Sequence, residues 1–434
     1  MTGQWTRRGL LLGGSGAWLA AAAALALPNP PSRAGAGTVD AVGARLLPWK
    51  PGCLDIHHIA TGRGDAALAI GPSGQSLLID AGASNAPLTH SVAPRPSGDR
   101  RPGEWIARYA QRRLEATGKS GIDAALVTHL HPDHLGDVQP TSPQATTGDY
   151  RLTGLSDVDA LCPIGLLVDR GFPSYDWPAK FDAPFAANYE RYIRARRQSG
   201  RRTERIRIGA ADQLAAPDAA RGFEIRTIAG NGEVWTGAGA DAASVIPPLS
   251  SLAQEDWPDE NVLSCAVRIR MGAFAYYAGG DLTANSYDGA LPWRDVGAKA
   301  ARACGPADVV VAPHHGMFDG VSGDMVRALA PRAWIVQTWH ASHPNMSAVE
   351  RMLSRRLYPG PREIFATGLT PAAAVVNQRL VDCFAARRGH IVIRVAEGGA
   401  SYTIVVTDNS DERDRVVAVF GPYAARSQAR GQPN

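Results

Sequence analysis

Four side chains able to bind a metal ion fall within six residues in the run Thr128-His129-Leu130-His131-Pro132-Asp133-His134. Imidazole and carboxylate are the ligand types that hold zinc and its borderline neighbours. The apolar segment Ala124-Ala125-Leu126-Val127 directly ahead reads as a strand, and a strand end aims alternate side chains into one cleft. His129 and His131, two apart, can share one ion; Asp133 and His134 turn away and can hold a second. Taken singly, a histidine is more often a satisfied core or surface group. Four ligands in this order point instead to a metal-binding loop at the mouth of a strand.

The pattern His-x-His-x-Asp-His after a buried strand resembles the signature of the metallo-β-lactamase superfamily. Other positions match in chain order. Leu77-Leu78-Ile79-Asp80-Ala81-Gly82 resembles a strand whose terminal Asp supports the ligand loop, and Ala278-Gly279-Gly280-Asp281 resembles the strand whose terminal Asp bridges two metals. Val309-Val310-Val311-Ala312-Pro313-His314-His315-Gly316 resembles the strand that delivers the last histidine, here His314. Thr61-Gly62-Arg63-Gly64-Asp65, Asn261-x-x-Ser264, His-His-Gly and Ser342-His343-Pro344 are similar to the soluble hydrolase domain of ComEC-type DNA-uptake proteins. The resemblance runs, with gaps, from Cys53 to Thr407. It implies an αββα sandwich of the α/β class carrying one or two ions, Zn2+ in the first instance, on His129, His131, Asp133, His134, Asp281 and His314, with Asp80 in support.

One departure bears on the metal. Many superfamily members place a further histidine upstream of the bridging Asp, but no histidine lies between His134 and His314. Asn261, or its neighbours Asp259 and Glu260, occupies that place. Either an oxygen ligand fills the position, which shifts the preference from zinc toward Mn2+ or Fe2+, or His315 or His343 reaches in from the other side. Asn261, His315 and His343 are therefore candidates for a further ligand or a substrate contact. His57, His58, His340 and His390 read as structural, and His90 as exposed.

The chemistry follows from these ligands. Two cations sharing Asp281 would acidify a common water enough to leave hydroxide near neutral pH, with Asp133 both ligating and orienting the nucleophile. No Ser-His-Asp arrangement, phosphate loop or dinucleotide fingerprint competes in the sequence.

The elements that must position these groups can be read coarsely. Ile56 to Ile59, Ala66 to Ile70 and Ser76 to Ile79 form a meander, followed by a helix from Trp105 to Glu115. Further on, Leu263 to Arg270, Ala273 to Ala278 and Val309 to Val311 are strands, Asp324 to Ala330 and Ser347 to Arg355 helices. Ile391 to Val395 with Tyr402 to Val406 form a closing hairpin. A hydrolase domain over 47–410 is thus interrupted at 138–260 by an insertion that borders the cleft as a candidate lid, and 411–434 is set apart as a C-terminal tail. Inside the insertion, eight arginines crowd the seventeen residues from Arg191 to Arg207. Clustered guanidinium groups bind phosphate well, which makes Arg196, Arg197, Arg201 and Arg202 candidates for anion binding and leaves nucleic acid among the partners. A solvated helix face and loop is nonetheless the reading favoured, because the arginines keep to no single helical face.

Thr6-Arg7-Arg8-Gly9-Leu10 opens an uncharged Ala/Leu/Gly run to Leu27. This reads as a twin-arginine signal peptide over 1–36, with small residues for cleavage at Ala24-Leu25-Ala26 and Ala34-Gly35-Ala36. The expected partner is the twin-arginine export machinery, and the expected location is the periplasm or beyond, with no stable membrane anchor after processing. The formal charge of +4 includes Arg7, Arg8 and Arg33 and no acid in that segment, so the processed chain stands near +1. Global charge therefore predicts no polyanion partner. The roughly 400 residues that remain exceed one ordinary domain, yet a sandwich with a long insertion absorbs them. Five cysteines without CxxC spacing exclude zinc knuckles and redox motifs, and Cys265 reads as a small core residue.

The functional reading is an exported metal-dependent hydrolase acting on a small-molecule or anionic ester, with a phosphodiester foremost. A β-lactam or lactone hydrolase and a non-catalytic metal-binding scaffold are the alternatives. The missing upstream histidine disfavours the first, and the intact loop from His129 to His134 the second.

Overall fold

Strand alternation builds two covered sheets. In Leu54–His58, Ala67–Ile70, Ser76–Ile79 and Ile122–Leu126 every residue but Asp123 is buried. Leu54, Ile56, Ala67, Ala69, Leu77, Ile79, Ala124 and Leu126 face a cluster shared with a second sheet. The alternate positions Leu68, Ile70, Leu78 and Ala125 pack with Ile106, Ala107, Ala110 and Leu114 of the helix Pro102–Leu114. Those helical positions recur at the three-to-four spacing of one apolar stripe. The helix also carries the chain from Ser76–Ile79 to Ile122–Leu126, which pair in parallel and so require a crossover.

The computed structural model describes residues 39–426. The first sheet has nine strands in the order Val416–Ala424, Ser401–Thr407, His390–Val395, Leu54–His58, Ala67–Ile70, Ser76–Ile79, Ile122–Leu126, Ile164–Asp169 and Arg202–Arg205. The second has eight in the order Glu363–Ala366, Ala333–Val336, Val309–Val311, Phe274–Ala278, Ala266–Met271, Phe223–Gly230, Glu233–Trp235 and Ala242–Ser244. Helices Val296–Cys304, Gly323–Leu329 and Met346–Leu353 bury Val296, Ala300, Met325, Val326, Ala348 and Val349 in the cluster of the second sheet. The layers are helix, sheet, sheet and helix, the αββα sandwich expected from the sequence.

Two boundaries differ from expectation. The stretch 138–260 is not set outside the fold: Ile164–Asp169 pairs in parallel with Ile122–Leu126, and Phe223–Gly230 pairs antiparallel with Ala266–Met271. It therefore supplies strands to both sheets, and only the loops between them border the cleft. Likewise Val416–Ala424, in the segment set apart as a tail, is the outermost strand of the first sheet through its pairing with Ser401–Thr407. The five cysteines are free, and Cys265 is buried in the core. The twin-arginine segment lies outside the described residues. Among those described, no helix is long and apolar enough to cross a membrane.

A buried histidine gives this fold a pH signature. His390 accepts a hydrogen bond at Nδ1 from the Ala60 N–H at 3.0 Å and packs on Tyr109 at 4.6 Å. Burial, outweighing nearby Asp414 and aided by Arg112 and Arg113, pulls its pKa down to about 4. The unfolded chain binds this proton near pH 6.5 and the folded chain does not, so stability falls as pH drops through that window. At pH 4 the expected loss from this one ring is about 3 kcal/mol relative to pH 7. Urea unfolding of His390→Gln should show a correspondingly flatter pH dependence than the parent; parallel curves would mean the ring is not held neutral.

Candidate metal centre

Asp80, at the end of Ser76–Ile79, is where the site begins. Its backbone is left-handed (φ 59°), a conformation Asp tolerates better than most residues. Its carboxylate accepts from the Thr128 N–H at 2.8 Å through Oδ1, and from the Thr128 hydroxyl at 2.8 Å through Oδ2. Oδ2 also lies 2.9 Å from His134 Nδ1. The His134 ring is thereby turned so that Nε2 faces inward, 3.3 Å from Asp281 Oδ1. Asp80 thus orients His134 and holds Thr128.

The turn Thr61 to Asp65 holds the loop from the other side. Gly64 and Gly82 press on the backbone of Asp133 so closely that a Cβ would lie 2.3 Å and 1.9 Å from its carbonyl oxygen. Only glycine fits at either position. The Asp65 N–H donates to that same oxygen at 2.8 Å. The Asp65 side chain reaches His315, with Oδ1 3.1 Å from Nδ1, while Oδ2 accepts from Gln337 at 2.8 Å. The hydrogen bond at His315 Nδ1 goes to the Gln337 carbonyl at 3.0 Å, which fixes the ring's tautomer, while the nearby Asp65 charge favours the protonated ring.

Two ligand sets result, and they share one residue. Asp133, His134, Asp281 and His315 offer atoms within 4.8 Å of one another, as do His129, His131 and Asp281. His129 Nε2 lies 3.0 Å from His131 Nδ1 and 3.7 Å from Asp281 Oδ2; His315 Nε2 lies 2.9 Å from Asp133 Oδ2 and 3.6 Å from Asp281 Oδ2. Tetrahedral ligands about 2.0–2.1 Å from an ion stand about 3.3 Å apart, so these spacings suit a divalent cation. The buried atoms His134 Nε2 and Asp281 Oδ1 make no well-aligned hydrogen bond. A cation between them would satisfy both.

Electrostatics point the same way. Burial opposes charge on His134 and His315, yet Asp281 with Asp133 and Asp80 outweighs it at the first, and Asp65 with Asp281 at the second. Both rings are held well above the ordinary histidine pKa. Asp281 is held well below the carboxylate range because His134, His315 and His129 overcome the cost of burial, and Asp133 is lowered by His134 and His315 against the same cost. These carboxylates create a field that calls for positive charge, which two divalent ions would supply.

Several sequence assignments change places. His314, expected to be the last ligand, stands outside both sets with Nε2 3.9 Å from Asp281 Oδ2 and 3.3 Å from Asn261 Nδ2, and Nδ1 2.7 Å from Asp319. His315 enters the set in its stead. Both residues are left-handed (φ 49° and 52°), and their Nε2 atoms lie 3.9 Å and 3.6 Å from the same oxygen, Asp281 Oδ2. His343 ligates in neither set; it is buried and stacks on His315 at 4.3 Å. The anion-binding reading of the arginine run fails at its centre. Arg196 is 2% exposed, pairs with Asp159 at 2.7 Å and donates to the Ile164, Gly165 and Arg202 carbonyls. Arg201 pairs with the same Asp159, and Arg202 pairs with Glu204 at 2.6 Å. Arg197 lies over the Phe172 ring at 5.4 Å.

Residues outside the expected ligand set complete the setting. Glu260 accepts from the Leu130 N–H, between His129 and His131, at 3.0 Å, and is gripped by buried Arg170. Phe181, from the loop region expected to form a lid, stands 5.8 Å from His131. A hint of Glu260 was present in its place beside Asn261; nothing local marked Arg170.

No protein-family model matches the sequence, and no curated protein matches it. Solved structures do. A mutant of the CmlA beta-hydroxylase shares 12% identity at a TM-score of 0.37, over 79% of this chain and 54% of its own. A protein assigned as a metal-dependent hydrolase from Parabacteroides distasonis shares 11% identity at a TM-score of 0.33, over 73% and 94%. The short form of human tRNase Z shares 11% at 0.27, over 64% and 91%. At such identities and TM-scores the likeness carries no argument about this chain. This chain spans about half the length of the CmlA protein that it matches.

Proposed function

We propose that the protein is a metal-dependent hydrolase acting on a phosphodiester or a related anionic ester. The observation that carries this reading is Asp281, the one carboxylate common to both ligand sets. When bound there, divalent cations supply Lewis acidity and acidify water in their field, and paired ions suit the attacking and leaving oxygens of an in-line displacement. The chain's own contributions follow from its geometry. Asp133 stays anionic, and its Oδ1 accepts no hydrogen bond from the described residues, which leaves it free to orient a nucleophilic water. Asp65 and the Gln337 carbonyl hold His315, Asp80 holds His134, and Phe181 stands against His131. The twin-arginine segment supports the further reading that this activity is exported.

Zinc- or manganese-loaded protein should hydrolyse bis-p-nitrophenyl phosphate well above the chelator-treated control and leave nitrocefin at background. Efficient nitrocefin opening with the phosphodiester untouched would move the substrate to a β-lactam or lactone. Metal binding with neither activity would leave a non-catalytic scaffold.

A further inference from the structure

A cleft of about 260 Å3 opens beside the metal centre, between the start of the helix Pro102–Leu114 and the loops that flank the ligand run. Arg63, from the turn that clamps Asp133, lines it and is only 7% exposed. One guanidinium nitrogen, Nη1, is fixed by the Ala86 carbonyl at 2.6 Å and the Ser91 hydroxyl at 2.8 Å. Nε and Nη2 donate to none of the described residues, yet neither is sealed from solvent. The Nε–Nη2 edge of the fork thus keeps solvent access on a side chain that lines the cleft.

No carboxylate among the described residues pairs with Arg63. Burial lowers its pKa, with no acid to offset that cost. A buried cation without a counter-charge is costly unless something brings it one. Arg100, exposed on the rim, lies over Trp105 at 5.6 Å and likewise pairs with no acid among the described residues. Arg101 differs, since Asp157 grips it through both oxygens. The one carboxylate lining the cleft, Asp137, caps its own neighbour by accepting from the Val138 N–H at 2.9 Å. Asn85, Gln139 and Thr141 add side-chain donors that have no partner among the described residues.

We infer that this cleft is a phosphate-binding subsite in which Arg63 and Arg100 hold a terminal phosphate of the substrate, distinct from the ester that is hydrolysed. The Arg63 charge, which no acid answers, and the Arg100 charge, which no carboxylate pairs directly though Glu412 feels it, match a phosphate monoester dianion, and the free edge of Arg63 is the bidentate geometry that recognises such oxygens. The subsite shares a wall with the metal centre. The Ser84 N–H donates to the Arg63 carbonyl at 2.7 Å, the Ala83 N–H donates to the Pro132 carbonyl at 3.0 Å, and Gly64 and Gly82 press on Asp133 between them. That the phosphate belongs to the substrate rests on the phosphodiester reading; the phosphate site itself does not.

The test is calorimetric titration of the full-length protein with inorganic phosphate at low salt. The parent and Asp281→Ala should bind phosphate alike, while Arg100→Glu and Arg63→Lys weaken it by at least about tenfold at unchanged melting temperature. In turnover, Arg100→Glu should raise KM for a p-nitrophenyl phosphodiester that bears a terminal phosphate and leave KM for bis-p-nitrophenyl phosphate where it was. Equal phosphate affinity in the parent and both arginine variants overturns the inference. So does affinity lost only in Asp281→Ala, which would put the anion on the metal centre. Intact phosphate binding without any hydrolysis supports the site and refutes the hydrolase reading instead.

Discussion

Asp281→Ala should strip metal from both ligand sets at once and lower phosphodiester hydrolysis by about a thousandfold or more. The reason is topological. Asp281 follows the strand Phe274–Ala278 and is the only residue common to the two sets, with Oδ1 toward His134 and Oδ2 toward His129 and His315. Removing any histidine would weaken one set; removing this carboxylate takes an anionic ligand from each. Asp80→Ala makes the informative comparison. Asp80 touches Thr128 and His134 and no part of the central space, so its loss should cost about 10–100-fold in metal affinity rather than abolish binding. Elemental analysis of the gently purified proteins reads both effects. An Asp281→Ala protein that retained the parent's metal content would remove the basis for a shared centre.

What could be read from the sequence was what is local. His129, His131, Asp133 and His134 lie within one loop, and Asp80 and Asp281 each sit just past an apolar run, so strand ends alone place them. The strands beneath them were legible because four to six apolar residues bounded by glycine leave few alternatives. The exchange of His314 for His315 was not legible, since it depends on two left-handed backbone angles that no side-chain pattern reports. Nor was the fate of Arg196: crowding in sequence suggested a basic surface, while its counter-charge Asp159 stands on another helix, Gly154–Leu161. The strand Arg202–Arg205 hid inside that same crowd. It is an edge strand made wholly of polar residues, and neither hydrophobicity nor alternation marks it.

The distant partners matter most where they hold the ligand loop, and Glu260 is the sharpest case. Arg170, with Glu260 6% exposed beside it, lies just past the strand Ile164–Asp169 and binds Glu260 through Nε at 2.8 Å and through Nη2. Its remaining nitrogen, Nη1, reaches the Trp177 carbonyl at 3.2 Å and Asn231 at 3.3 Å. Glu260 in turn accepts from the Leu130 N–H at 3.0 Å, so one ion pair joins the segment expected as an insertion to the backbone between two ligands. Glu260→Ala should strand the Arg170 charge in the interior and cost about 3–5 kcal/mol of stability, visible in urea unfolding. Arg170→Met with Glu260→Leu removes both charges and should recover most of that loss, because an apolar pair of similar volume avoids the desolvation. Metal affinity should behave differently. The Leu130 N–H still lacks its acceptor in the double variant, so zinc should bind about tenfold or more weakly even where folding is restored. Recovery of zinc affinity together with stability would show that the pair serves the fold alone; weakened zinc on a stable double variant would show that Glu260 sets the position of His129 and His131.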